Sequence, residues 1–384
     1  MLLQLAVPLL AVRLDANWTQ LGAIGWIAQA VRMPICLTSG HLSERVGRAA
    51  IIVPAAIVCA AMIAALARAG TITHEIVLYT IALASIGAFY PALQAMIGDK
   101  SELGQLRKNL GVFNIGWCVG GAITAGIAGV LVGYGLNVLF YAGAACCLAA
   151  AALVLSWRAK PRVRARREGL PVYEGVAEAS GPAQPAGDDF GPLLLIARLG
   201  HFCGFFGFSV IRILFPKMGI QSFGWSKPQV AAIIAVFLWG LAIGILLTNV
   251  SAWWRGKLWP QIASQCVMLA CAVGAALACS PMLASAVSPA LMAALFFGFG
   301  IAQSVTYAGA LYYGLSSRKG KGTNTGIHEA LVAAACVSGC LLGGTAAQHF
   351  GLVAPFALLA GLTMLSLIAT TAIWVRQSAA RVSS

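Results

Sequence analysis

Long runs of apolar residues, separated by short polar segments, dominate the pattern along the chain. The runs are about 20 residues long and lack a strict alternation of apolar and polar positions. A helix of about 20 residues spans the ~30 Å hydrocarbon core of a bilayer, whereas membrane β-strands need that alternation. The pattern predicts an all-α polytopic membrane protein. Its predicted spans are about 1–14, 18–39, 49–69, 75–97, 109–132, 136–157, 191–216, 227–250, 258–280, 286–315, 323–348 and 352–375.

The twelve spans form two groups of six on either side of a polar segment. That segment is rich in Arg, Pro and Gly, begins basic, ends acidic and has no apolar period, which is typical of a flexible linker. We therefore predict a six-helix bundle over 1–157, a cytoplasmic linker over 158–190, a second six-helix bundle over 191–376 and a cytoplasmic tail over 377–384.

The two halves look like copies of one another. Gly111 and Gly129 recur as Gly326 and Gly344 at one constant offset of 215 positions. Constant offsets of this kind predict parallel repeats, here two bundles with pseudo-two-fold symmetry. The first span, at about 14 residues or ~21 Å of helix, is too short for a bilayer. We expect that the sequence begins inside its first helix and lacks about 15 preceding residues; an abnormally short first helix is the alternative.

Composition supports a membrane location and argues against other classes. Hydrophobic residues make up 60% of the 384 positions and charged residues only 9%, against roughly 25% charged in soluble domains. The sequence contains no P-loop, G-x-S-x-G or H-E-x-x-H motif, and its cysteines lack the spacing of metal ligands. We expect no enzymatic activity, no cofactor and no metal site.

The net charge of +14 reflects topology. Of the 25 Lys and Arg residues, 18 fall in predicted cytoplasmic segments, four in the opposite loops and three within spans. This split follows the positive-inside rule and places both termini and the linker in the cytoplasm. No basic patch interleaved with aromatic residues is present, so no nucleic-acid partner is expected. The predicted location is the inner (plasma) membrane of a bacterium, with multiple spans.

One charged cluster, Gly40–Arg48 with the sequence GHLSERVGR, separates the second and third spans. We predict a tight loop that turns at both glycines. The pattern G-x-L-x-[DE]-R-x-G-R resembles the loop between helices 2 and 3 of the major facilitator superfamily of secondary transporters, with Glu44 where that family usually has Asp. In the second half, Trp253–Lys257 occupies the corresponding place.

The resemblance implies an inner gate, a charge network on the cytoplasmic side that stabilises the outward-open state. A hydrated cluster that only sets topology is the alternative. The gate residues implied by the motif are Gly40, Glu44, Arg45, Gly47, Arg48 and Asp99.

Polar side chains inside the spans define a second candidate site. Each intramembrane charge costs ~2.5–3.5 kcal/mol on insertion scales, so such residues are functional or paired. Helix rise places several of them at one depth, ~8–11 Å below the inner surface, from both halves. The predicted substrate or proton cavity contains Arg32, Tyr90, Gln94, Asn114, Arg198, His201, Tyr307 and Glu329.

Two interpretations of the charges stay open. In one, Arg32 and Arg198 attract an anionic or polar solute, and Glu329 exchanges a proton or binds the solute. In the other, Glu329 pairs with an arginine and locks the inner gate, an interpretation favoured because buried charges are usually paired. His201 lies one turn from Arg198 and is expected to be a packing histidine with its polar atoms satisfied.

Two further groups are placed outside the cavity. His328, ~100° around the helix from Glu329, need not share the site. Arg212, near the predicted outer end of its span, is expected to reach the surface beside Lys217.

Together these features predict a secondary active transporter that moves a small polar or anionic solute by alternating access. Proton coupling is left open, and a monomer surrounded by the lipid bilayer is expected. The alternative is a membrane sensor or assembly scaffold of the same fold that transports nothing. The altered second-half motif and the short first helix keep that alternative in view.

Overall fold

The computed structural model describes residues 2–100, 106–158, 191–316 and 321–382, all in helices or the short segments between them. Of the predicted linker over 158–190, only Arg158 lies within the described residues. The helices are α1 (Leu2–Arg13), α2 (Trp18–Val46), α3 (Arg48–Leu66), α4 (Ile72–Lys100), α5 (Leu106–Leu131), α6 (Leu136–Arg158), α7 (Gly191–Ser209), α8 (Lys227–Val250), α9 (Trp259–Ala278), α10 (Pro289–Ser316), α11 (Lys321–Phe350) and α12 (Val353–Val382).

The helices follow the predicted spans, and α2, α7 and α12 extend furthest beyond them. Eleven helices in the described part of the chain are long and apolar enough to cross a membrane; α1, with 12 residues, is not one of them. The last helix continues through most of the expected tail, to Val382. α7 continues past Ser209 as a π-helix over Val210–Leu214, a short α-helical turn and a second π-helix over Met218–Ser222.

The internal repeat reappears in how α2 and α8 begin. Asn17 accepts a hydrogen bond from the backbone N–H of Gln20 at 2.8 Å, and the Gln20 side chain accepts one from the backbone N–H of Asn17 at 2.9 Å. Ser226 and Gln229 form the same reciprocal cap at the start of α8. Each cap satisfies two backbone donors that the first helical turn leaves free. The two halves therefore start corresponding helices with the same device.

The predicted loop over Gly40–Arg48 is much shorter than expected. α2 continues to Val46 and α3 begins at Arg48, so Gly47, with φ 96°, is the one residue that turns the chain. A positive φ of this size suits glycine, which has no Cβ. Gly40 lies inside α2, and the expectation that it turns the chain is wrong.

The halves meet where helix backbones approach one another closely. α2 packs against α11, and α5 packs against α8. A Cβ built on Gly344 would lie only 2.9 Å from Cα of Gly22, and one built on Gly129 would lie 3.2 Å from Cβ of Ala231. Gly129 and Gly344 are the repeat-related pair, so one predicted symmetry position supplies the small residue at both inter-bundle contacts.

These contacts lie toward one end of the molecule, which we name the Trp18 end; the end that carries Gly47 is the Gly47 end. At the Trp18 end, the Trp18 backbone N–H donates to the Gln348 side chain at 3.0 Å. The Lys217 ammonium lies 4.7 Å over the Trp18 ring and donates to the carbonyl of Ala16. Segments of both bundles are thus joined across the Trp18 end.

The same two helices separate toward the Gly47 end. A recess of about 30 Å³, open on one side, lies between the second half of α2 and the first half of α11. Met33 and Leu37 of α2 line it and are 39% and 60% exposed. The bundles therefore touch at the Trp18 end and part at the Gly47 end.

Replacement of Gly22 by Ala should open the Trp18 end. The added Cβ would lie 2.5 Å from the Cys340 carbonyl oxygen, and overpacking of this kind costs ~1–3 kcal/mol. With Cys340 as the sole cysteine, we expect its labelling by a maleimide to become about ten times faster.

Gly126→Ala is the matched control, because a Cβ at Gly126 meets nothing within 4 Å. Cys340 labelling that is equally slow in both variants would contradict a closed contact at this position.

Candidate functional site

The charged motif at the Gly47 end is a capping network around one arginine. Arg48 donates to the Ser43 hydroxyl at 2.7 Å and to the Gly40 carbonyl at 3.3 Å, and it lies 3.7 Å from the Glu44 carboxylate. Arg48 thereby binds polar groups in the last turns of α2, which a cation stabilises. Arg45 is exposed. The side chain of Asp99 lies outside the described residues, so its predicted place in this network stays a prediction.

The corresponding segment of the second half is fixed by aromatic side chains instead. Trp254 is buried, and its indole N–H donates to the Thr248 carbonyl at 3.0 Å. The backbone N–H of Gly256 donates to the Tyr313 hydroxyl at 3.2 Å, and the Arg255 guanidinium lies 5.2 Å over the Tyr312 ring. We call this group the aromatic clamp. It ties the turn between α8 and α9 to α10.

The open recess brings together predicted cavity residues from both bundles. Arg32 of α2 and Glu329 of α11 line it with Gln29 and Cys36. Arg32 donates to the Gln29 side chain at 3.3 Å. Among the described residues, no ion pair within 4.0 Å joins Arg32 to Glu329, although Arg32 is the charge that acts on the Glu329 carboxyl. In this state the two groups share a site without the direct pair of a locked gate.

Two histidines and a tyrosine form a second cluster inside the second bundle. His201 of α7 and His328 of α11 stack with ring centroids 4.4 Å apart and an angle of 19°. Tyr307 of α10 lies 5.7 Å from His201 and 5.3 Å from His328. Arg198, half-buried one turn before His201, acts electrostatically on His328. His328 thus contacts His201 of a neighbouring helix. The angle between His328 and Glu329 on their own helix does not predict this contact.

His201 differs from a packing histidine with satisfied polar atoms. It is completely buried, and neither ring nitrogen has a hydrogen-bond partner among the residues that the structure describes. Buried polar atoms without partners are uncommon and costly.

The remaining predicted cavity residues are more scattered. Tyr90 is half-buried, packs edge-on against Phe113 of α5 at 6.2 Å, and feels the charge of Arg32. Gln94 is exposed. Asn114 belongs to α5, but its side chain lies outside what the structure describes.

Arg212 is a central residue that the sequence placed wrongly. It is 4% exposed, lies in the first π-helix of α7, and holds its guanidinium 4.6 Å over the Phe208 ring. Because α7 continues to Ser222 instead of ending near 216, Arg212 lies deep between the bundles and does not reach the surface. The sequence did contain one indication of this burial, because a cation inside a long apolar span is usually functional or paired.

Glu75 is a second buried ionisable residue. The predicted span began at about 75, which placed Glu75 at the very start of the span. α4 begins at Ile72, so Glu75 lies in the first turn of the helix, and it is completely buried. Among the described residues, neither carboxyl oxygen has a hydrogen-bond partner.

Two helical bundles with buried charges, built from many helices that can cross a bilayer, are typical of membrane transporters. The chain belongs to the Major Facilitator Superfamily, whose sequence model matches residues 1–263. The predicted family and fold class are thereby confirmed, and the family places the chain among transporters instead of enzymes. No curated protein sequence matches the chain.

Solved transporter structures share the fold over nearly the whole chain at low sequence identity. A bacterial homologue of the human lysosomal transporter Spinster, inward-facing and occupied, is 16% identical with a TM-score of 0.67, over 98% of this chain and 91% of that one. The nucleoside transporter NupG is 12% identical with a TM-score of 0.66, over 97% and 94%. The human organic anion transporter MFSD10 is 17% identical with a TM-score of 0.57, over 96% and 89%.

Replacement of His201 by Phe should preserve or raise thermal stability. Phe keeps the ring contact with His328 and removes two buried nitrogens without partners. His201→Ala should instead cost ~3–5 kcal/mol, as large-to-small changes of buried rings do. The measurement is the thermal unfolding midpoint of the purified protein in detergent, followed by tryptophan fluorescence. A fall for Phe as large as that for Ala would show that the imidazole nitrogens have polar partners.

Proposed function

We propose that this transporter carries a small anionic or polar solute by alternating access between its two bundles. The observation that carries the proposal is that each bundle places a cation inside its spans: Arg32 of α2 lines the recess, and Arg212 of α7 is 4% exposed. Cations within the spans of both bundles favour an anion, because charges within a bilayer are stabilised by opposite charges. Arg198, also half-buried in α7, adds a third positive group in the second bundle.

The state of the two ends supports alternating access. The bundles touch at the Trp18 end and leave a recess at the Gly47 end, as expected for one of two interconverting states. The positive-inside rule assigns the Gly47 end to the cytoplasm, together with both termini and the linker over 158–190. This state would then be open toward the inside of a bacterial plasma membrane, with the chain acting as a monomer.

We assign Glu329 the role of proton acceptor in the same recess. It faces Arg32 without an ion pair in the described residues, so approach of a solute or of Arg32 would change its proton affinity. A membrane sensor or scaffold is the second candidate function. The aromatic clamp favours this second candidate. In the second half it replaces the charged contacts of the first-half turn with a packed turn, and such a turn is less suited to opening and closing.

Removal of the cations should weaken the binding of an anionic solute more than that of a neutral one. Arg32→Gln and Arg212→Gln each delete a charge-assisted contact worth ~1.5–3 kcal/mol, or about a 10–100-fold loss of affinity. Purified protein is first screened by thermal shift against carboxylates, phosphate esters, sugars and nucleosides. The solutes that bind are then measured by counterflow in proteoliposomes.

Arg13→Gln is the control, because Arg13 is exposed at the end of α1. Equal losses for charged and neutral solutes in Arg32→Gln and Arg212→Gln would contradict the anion site. Absence of counterflow for every solute that binds would favour the sensor or scaffold.

Replacement of Glu329 by Gln should abolish coupling of transport to the proton gradient but leave movement of the solute across the membrane intact. Gln keeps the shape of the side chain but cannot release a proton, so accumulation driven by a pH gradient should be lost while counterflow persists. Both are measured in the same proteoliposomes. Uphill uptake with an unchanged pH dependence would show that Glu329 is not the coupling group.

A further inference from the structure

Glu75 is a carboxyl group enclosed at the Trp18 end. It lies in the first turn of α4, is 0% exposed, and has no hydrogen-bond partner on either oxygen among the described residues. Its neighbours along the chain, Ile72 and Ile76, pack into the main apolar core. An ionised carboxylate in such surroundings carries a large desolvation cost, and binding a proton removes it.

The face of α4 that carries Glu75 also reaches the contact between the bundles. Tyr79 follows one helical turn later on the same face and belongs to the same buried apolar core as Val210 and Ile213 of α7, in the second bundle. Glu75 therefore lies on the Trp18 side of Tyr79, in the half of the molecule that is closed. Separation of the bundles at this end would admit water along that face.

Charged groups of the neighbouring elements do not compensate Glu75. α4 packs against α2 and α3 and also touches α1 and α5. Lys217, at the end of α7, donates to the Ala16 carbonyl. Apart from Arg212 and Tyr79, the other Arg, Lys, Asp, His and Tyr side chains at this end are exposed, and none hydrogen-bonds to Glu75 within the described part of the chain: Arg13, Asp15, Arg68, His74, Tyr134, Tyr141, Lys227 and His349.

We propose that Glu75 is a proton-binding site whose occupancy is coupled to closure of the Trp18 end. The inference rests on the alternating access proposed above. While this end is closed, the carboxyl keeps its proton, because burial disfavours the anion and no described residue donates a hydrogen bond to it. When the end opens, water reaches the carboxyl and the proton leaves. A low pH thus favours the closed end and a high pH favours the open end.

Cys340 provides a direct report of this equilibrium. It is 1% exposed and lies at the contact of α11 with Gly22 and Gly25 of α2. In a variant with Cys340 as the sole cysteine, maleimide labelling is measured from about pH 5 to about pH 9, a range that includes the ionisation of buried carboxyls. Each rate is divided by that of the unfolded protein at the same pH, which removes the thiol's own pH dependence.

The normalised rate should rise several-fold with pH when Glu75 is present. In Glu75→Gln it should stay low at every pH, because the amide resembles the protonated acid and cannot ionise. Asp15→Asn, an exposed acid at the same end, should keep the response of the parent. Glu75→Leu should show the same flat profile, which keeps the test decisive where the Gln variant does not fold.

Infrared spectroscopy tests the protonation state independently. At neutral pH, the C=O band of a protonated carboxyl should be present in the parent and reduced in Glu75→Gln. A pH response of Cys340 that survives Glu75→Gln or Glu75→Leu, or a band unaffected by the substitution, would overturn the proposal. Neither readout uses a solute, so a failure of transport in proteoliposomes would count against the proposed function alone.

Discussion

Close approach of helix backbones across the Trp18 end is the constraint on which this structure depends. Nothing larger than hydrogen fits between Gly22 and Gly344 without a shift of the helices. In a bilayer, helices are not driven together by the hydrophobic effect, so association relies on dispersion contacts and hydrogen bonds that small residues permit. Without this contact the Trp18 end would not be closed. The two ends of the molecule would then no longer differ.

Burial of charge follows from this closure. Arg212, Lys217 and Glu75 all lie in the half of the protein where the bundles meet, and each is less than 10% exposed. Lys217 is stabilised by a backbone carbonyl and an aromatic ring, and Arg212 by the Phe208 ring. Glu75 has no such compensation among the described residues. The half where the bundles meet therefore gives both cations a compensating group, and gives an ionised Glu75 none among the described residues.

Most of the fold could be predicted from the sequence because membrane thickness constrains helix length so strongly. The repeat is equally visible in the sequence: an offset of 215 positions pairs Gly129 with Gly344, and both lie at contacts between the bundles. The errors came from helix ends. Reading α7 as ending near 216 placed Arg212 at the surface, and starting α4 at 75 concealed Glu75. Neither π-helices nor a one-residue turn at Gly47 leaves a clear signal in hydropathy.

The candidate site was less predictable, because side-chain direction depends on helix rotation as well as depth. Depth alone grouped Arg32 with Glu329, and both line the recess. Depth also left Gln94 in the predicted cavity, although it is exposed. His328 was separated from the site by its angle to Glu329, yet it meets His201 from another helix. Contacts between helices of one bundle cannot be derived from a single helix's geometry.

The turn at Gly47 is stabilised by charged groups, and the related turn at Gly256 is stabilised by packed aromatic rings. The two halves should therefore differ in their sensitivity to ionic strength. Mobile ions screen a contact such as Arg48 with Glu44, because its members are partly in water. They have little influence on a tryptophan packed among tyrosines. Concentrated electrolyte would therefore loosen the turn at Gly47 while its counterpart at Gly256 keeps its shape, so a nearly symmetric molecule would respond to ionic strength in one half only.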